Sequence, residues 1–310
     1  MVNKMGKQTR KNGSKFGGLW TKEKLYIIEE YLKSYSMALK NKSFRKIYID
    51  AFAGSGKTEL KTIVESNEVG IFDFLEDDFE SNEYIIDGSA MISLKYDFDE
   101  YYFVEIDYER IEKLKKLIRN NYPNKLDKVH FINEDANKHI NTILKKLGKY
   151  DKCVMFLDPF SLELKWEVLE KISQYNGIDL WYLFPLSINR LIPRDKSKLD
   201  DRNKEIVTSI LGTDTWEKEL YKVHNVYNLF GDEEKEVRVE ISDIIKYIEN
   251  RFKIIFKYVN NNSVILKNDR NSPLFMLSFM MTNPNDKAIK LADKLVKAIV
   301  KGAVKKYAKS

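Results

Sequence analysis

The chain has 310 residues, 43% apolar and 32% charged, with 53 basic and 47 acidic side chains and a net charge of +6. This is ordinary globular usage, enough to bury a full core as one large domain with an insertion or as two small ones. No apolar run is long enough for a membrane span, and the basic N-terminus lacks the apolar stretch and cleavage site of an export signal, so no membrane association is expected. A lone Cys153 inside an apolar run excludes an internal disulfide framework and fits a reducing cytoplasm. With three scattered histidines, it also leaves no protein-built zinc site, so no metal is expected.

Residues 1–18 carry Lys4, Lys7, Arg10, Lys11 and Lys15 without an acid and read as a flexible basic tail. The core is expected over 19–188. Leu25, Ile28, Leu32, Tyr35 and Leu39, spaced by threes and fours, predict a helix over Trp20–Lys40 with Thr21 as its cap. Lys46 to Asp50 then reads as a short buried strand running into the Gly54-Ser-Gly56 turn. Glycines there let the backbone approach a ligand and open a helix whose N–H groups face it.

Two ligands compete for this turn. Ala51 to Thr58, with Gly56-Lys57-Thr58, resembles a degenerate phosphate-binding loop, which would make the chain an NTPase. Alternatively, Asp50 at the strand end, followed by Phe52, Gly54 and Gly56, suits a ligand carrying an amine and a sugar, such as S-adenosylmethionine. In that reading Asp50 meets the cofactor's ammonium, and Lys57 or Lys24 its carboxylate.

Residues 59–87 form an acidic stretch, read as an exposed insertion, and Gly88-Ser89 starts a short helix. The next three strands all end on acids. Tyr101–Asp107 delivers Glu105, placed to accept both hydroxyls of a ribose. Val129–Ala136 delivers Asp135 and Ala136, where Asp135 can cap the following helix and accept from an adenine amino group. Cys153–Phe160 delivers Asp158. A triphosphate would be repelled by such a set, whereas a cationic sulfonium on an adenosine is matched to it. Asp158 and the Pro159 carbonyl could accept the two N–H bonds of an exocyclic base amine, with Phe160 as a stacking face. A strand over Ile178–Pro185 follows.

Residues 189–250 break the α/β alternation and read as a basic helical lid, with helical periods around Trp216–Val223 and Ile241–Ile248. Arg190, Arg194 and Lys198 are its candidate substrate contacts. Over 251–310, a strand in Leu274–Met281 closes the sheet. From Lys287 to Lys309 eight lysines face one acid, Asp293, on a helix with a cationic face suited to a polyanion.

Asp50-Ala-Phe-Ala-Gly54-Ser-Gly56, Gly88-Ser89, Phe103-Val-Glu105, Asp135-Ala-Asn137, Phe156-Leu-Asp158-Pro-Phe160, Asp179-Leu, Phe184-Pro185, Asn189-Arg190 and Ser272-Pro-Leu274 occur in the order of the three-Cys-motif partner (TcmP) proteins. The likeness runs from about Trp20 to Ala292, with Ser161 where that family usually has glycine. The resemblance implies a bacterial class I S-adenosylmethionine-dependent methyltransferase: a Rossmann-like, mostly parallel sheet with an antiparallel last strand and helices on both faces. It also implies a partner protein bearing a three-cysteine motif. DNA or RNA is the expected acceptor, and a non-catalytic cofactor- or nucleic-acid-binding subunit is the alternative outside enzymes.

Overall fold

The structure is a computed structural model that describes residues 18–62, 82–228, 231–261 and 263–307. The basic tail up to residue 17 and residues 63–81 of the acidic stretch therefore lie outside the described residues. Helix α1 (Leu19–Ala38) buries Leu25, Ile28, Leu32 and Tyr35 on one face, as their spacing requires. It starts two residues before the expected cap. Gly18 takes the N-cap position, and Thr21 sits inside the helix, buried, with its hydroxyl unpartnered.

Strand β1 (Lys46–Asp50) follows as expected, but the glycine turn leads into a strand rather than a helix. That strand, β2 (Lys57–Thr62), pairs antiparallel with β3 (Asn82–Asp87), so the described ends of the acidic stretch form a two-stranded ribbon. The Gly88 N–H returns to the Gly56 carbonyl at 2.9 Å, and the displaced helix, α2 (Ser89–Ser93), begins only there. The phosphate-loop geometry, a helix opening directly from the turn, is absent for this reason.

The chain then alternates: β4 (Glu100–Val104), α3 (Tyr108–Asn121), β5 (Val129–Ile132), α4 (Ala136–Leu144), β6 (Lys152–Leu157), α5 (Trp166–Ser173) and β7 (Ile178–Pro185). Segment 189–250 holds α6 (Asp201–Leu211) and α7 (Trp216–Leu220), but also an unexpected hairpin, β8 (Tyr221–Asn228) with β9 (Gly231–Arg238). The periodicity around Trp216–Val223 thus ends in a strand. Helix α8 (Ile241–Ile255) runs past the expected Ile248. It is followed by β10 (Tyr258–Val259), β11 (Val264–Lys267), β12 (Pro273–Met281) and α9 (Asp286–Tyr307).

The main sheet runs β10-β12-β7-β6-β1-β4-β5, with β11 beside β10 along the same edge of β12. From β5 to β7 every pairing is parallel, and β12 alone runs against β7. This is the Rossmann-like arrangement expected. Alternate strand residues face opposite sides. Ile47, Ile49, Met155 and Leu157 pack beneath α4, α5 and α8, whereas Tyr48, Phe103, Val154 and Phe156 pack beneath α1, α2, α3 and α9. Strand order reverses between β1 and β6, so the crossovers on either side diverge and leave a crevice at their carboxyl ends.

Candidate active site at the carboxyl edge of the sheet

The crevice is a cavity of about 1000 Å³. Its floor is the glycine turn, which is held between the neighbouring strands. The Ala51 N–H reaches the Phe156 carbonyl at 3.1 Å, and the Ala53 N–H reaches the Val104 carbonyl at 2.9 Å. Gly54 has φ +61°, and a Cβ there would meet nothing within 4 Å, so its backbone faces open space.

Glu105, at the end of β4, is tied to this floor. Its Oε2 accepts the Gly54 N–H and its Oε1 the Asp107 N–H, both at 2.9 Å. A carboxylate offers about four lone-pair sites. Two fixed backbone donors orient the group and leave one acceptor site on each oxygen. Asp135 caps α4 by accepting the Asn137 N–H at 2.8 Å, and it lines the cavity beside Ala136.

The opposite wall is the Asp158-Pro159-Phe160 segment. Asp158 Oδ2 lies 2.5 Å from the Lys24 ammonium, which α1 brings in under the rings of Trp20 and Phe156 at 5.4 and 6.0 Å. The lysine side chain is only 8% exposed. The Phe160 N–H is held by Glu163 at 2.9 Å, while Phe160 as a residue is 66% exposed and lines the cavity.

Of the residues expected from sequence, Lys24, Phe52, Gly54, Glu105, Asp135, Ala136, Asp158, Pro159, Phe160 and Arg190 line this one cavity. Five do not. Asp50 is fully buried behind the turn, where it accepts the Phe52 N–H at 3.3 Å and a Ser89 hydroxyl hydrogen bond. It has no path to a cofactor ammonium. Gly56 has φ +79° and packs on α3, since a Cβ there would stand 2.7 Å from Leu114 Cδ1. Lys57, carried off by β2, pairs with Asp87 at 2.6 Å, although Thr58 remains at the cavity. Arg194 and Lys198 are exposed outside the lining. The Arg194 carbonyl is held by the Arg238 N–H, and Lys198 ends a short 3₁₀ turn. Lys24 is at the cavity, but its ammonium is committed to Asp158.

Several lining residues have no role expected from the sequence. Arg110 follows Asp107 in the first turn of α3, Trp20 packs on Phe275 with ring centres 4.9 Å apart, and the β11–β12 connection supplies Asn268, Arg270 and Ser272. A signal exists for part of this wall, since Asn189-Arg190 and Ser272-Pro-Leu274 stand in the ordered motif set.

Comparison with known proteins gives little more. No family model matches the chain, and no curated protein matches it. Among solved structures, protein LPL1258 from Legionella pneumophila aligns over 92% of this chain and 93% of its own, at 14% identity and a TM-score of 0.47. Trm1 from Pyrococcus horikoshii, solved with S-adenosyl-L-methionine, aligns over 97% and 78% at 12% identity and a TM-score of 0.38. A putative methyltransferase, yhhF from Escherichia coli, aligns over 68% and 84% at 13% identity and a TM-score of 0.30.

Proposed function

We propose that the chain is an S-adenosylmethionine-dependent methyltransferase acting on an exocyclic amine of a nucleic-acid base. One observation carries this reading: Glu105 and Asp158, from strands on either side of β1, face one cavity across the glycine turn. The residues present fit the cofactor. The remaining acceptor sites on Glu105 would take two vicinal ribose hydroxyls, Asp135 and Ala136 would hold the adenine, and Phe52 with Gly54 would form the floor beneath them. At about 1000 Å³ the cavity is at the upper end of small-molecule sites, which leaves room for an acceptor beside a cofactor.

When bound, S-adenosylmethionine supplies a methyl group on a positively charged sulfur. The chain's part is to prepare the acceptor. An exocyclic amine is a poor nucleophile because its lone pair is delocalised into the ring. Asp158 and the Pro159 carbonyl, accepting its two N–H bonds, draw that lone pair back onto nitrogen, and Phe160 offers its exposed face to the base. Lys24 holds Asp158 in place through the other oxygen.

Membership of the three-Cys-motif partner family, and with it a partner protein bearing the cysteine motif, belongs to the same proposal. Its support is convergence: of the nine motif pieces, seven reach one cavity, through Phe52 and Gly54, Glu105, Asp135-Ala136, Asp158–Phe160, Pro185, Asn189-Arg190 and Ser272–Leu274, while Gly88-Ser89 and Asp179-Leu180 lie outside it. The buried thiol of Cys153 agrees with a reducing, cytoplasmic setting.

S-adenosylhomocysteine is expected to raise the melting temperature, whereas Mg²⁺ with ATP is not; the opposite pattern would favour an NTPase. Glu105→Ala should weaken cofactor binding by about 10- to 100-fold, the worth of hydrogen bonds to a charged group. Asp158→Ala and Lys24→Met should keep binding but lose methyl-label transfer to cellular RNA or DNA. A wild-type protein that binds the cofactor yet transfers no label, even with its partner present, would be a non-catalytic subunit.

A further inference from the structure

Helix α9 carries Lys287, Lys290, Lys294, Lys297, Lys301 and Lys305, separated by three or four residues throughout, and all six are exposed. At 100° per residue they fall within an arc of about 80°, and at 1.5 Å per residue they form a straight row about 27 Å long. Like charges at these spacings repel and weaken a helix, so beyond Lys297, which pairs with Asp293, and Lys305, in the last turn, the row is not accounted for by the helix's own stability. Among the described residues one of the six has an acidic partner, Lys297 with Asp293 at 2.8 Å.

We propose that this row is a track for the phosphate backbone of the polynucleotide whose base enters the cavity, an inference that rests on the reading of that cavity given above. Two further observations favour a polynucleotide over a lipid surface. The apolar face of α9, with Ala292, Val296, Ile299 and Ala303, is already buried in the core beneath the sheet, and the only large apolar side chains α9 leaves exposed, Leu291 and Val304, are two separate residues rather than a face that could enter a bilayer. The track also leads to the site. The last turn of α9 lies on α1, with the Lys306 ammonium 4.1 Å from the Tyr26 ring centre and the Tyr307 ring edge-on to it at 5.9 Å. Trp20, Thr21 and Lys24, on the preceding turns of α1, line the cavity, and Arg270 continues the positive charge at its rim.

The test is binding of a fluorescent 20-nucleotide single-stranded RNA, and of the matching DNA, at several salt concentrations. Six phosphates neutralised on a single strand, with Lys297 exchanging Asp293 for a phosphate, give a slope of about −4 in log K against log salt. With Lys290, Lys294 and Lys301 all changed to Glu, the slope should fall to about −2 and affinity by at least tenfold for one or both strands. The same three changed to Gln remove the same three contacts without adding repulsion, so the slope should again be about −2 with a smaller loss of affinity, which guards against a folding defect. The melting shift with S-adenosylhomocysteine should stay unchanged in both variants. Wild-type protein that binds neither strand, or variants with unaltered affinity and slope, would overturn the track. So would variants that lose binding to phosphatidylserine vesicles while keeping that to RNA and DNA. Failure of the cofactor shift in the wild type would instead sink the cavity reading and leave the track standing.

Discussion

Asp50 and Glu105 end neighbouring strands, yet their surroundings give them opposite roles. Glu105 reaches the cavity, where two backbone donors hold it ready to accept. Asp50 is sealed in the core, and burial pushes its carboxyl up to about 7; hydrogen bonds from Ser89 and Phe52 pull the other way, and the charge of Asp158 adds to the rise. Such a group keeps a proton in the folded chain that the unfolded chain has released between about pH 4 and 7. Stability therefore falls as pH rises through that window and is flat above it. Asp179, bonded to the Tyr31 hydroxyl at 2.6 Å and raised by burial to about 6, acts in the same sense but is spent sooner. Removing Asp50's titration should show as a difference. The unfolding free energy of Asp50→Asn relative to wild type, measured in urea, should rise by roughly 2–3 kcal/mol from pH 5 to pH 8. A constant difference would mean that Asp50 stays ionised throughout.

The glycine turn, as an element, divides its two glycines between different tasks. Gly54 and Gly56 both have positive φ, so alanine at either strains the backbone by about 1 kcal/mol. Only at Gly56 does the new methyl also meet packed side chains, Leu114 Cδ1 at 2.7 Å and Met91 Cγ at 3.1 Å. Overpacking adds roughly 1–3 kcal/mol. Gly56→Ala should therefore lower the melting temperature clearly more than Gly54→Ala, while Gly54→Ala, with its methyl in the cavity, should be the one that weakens S-adenosylhomocysteine binding. Equal melting losses would remove the distinction. Hairpin β8–β9 has a comparable division of labour. Arg238 at its end donates to the carbonyls of Asn189 and Ile192, and its own N–H to that of Arg194, so the hairpin staples the segment that carries Arg190 to the cavity wall.

Across the whole molecule, the cavity is built from segments far apart in the chain: the start of α1, the turn after β1, the ends of β4, β5, β6 and β7, and the β11–β12 connection. A ligand bridging them should slow amide exchange in all together. Hydrogen exchange with S-adenosylhomocysteine is expected to protect peptides covering 51–56, 105–110, 134–137 and 158–163 as a set. Protection confined to one of these would argue against a single shared site.

The alternation of apolar strands, each ending in an acid, with amphipathic helices determined by itself the parallel sheet and the position of Glu105, Asp135 and Asp158 along one edge of it. These are local signals: a buried strand must be apolar, and the residue just past its end stands at the sheet edge. A helix after Gly56 does not form because a glycine turn is compatible with either continuation, and only the pairing of β2 with β3 takes Lys57 away. Hairpin β8–β9 was illegible because β9 is almost wholly charged and has no period to read. Whether Asp50 faced the ligand or the core, and that Lys24 would cross to Asp158, depended on how α1 and α2 close over the sheet. Contacts between residues more than a hundred positions apart leave no trace in local spacing, and only the tertiary structure decides them.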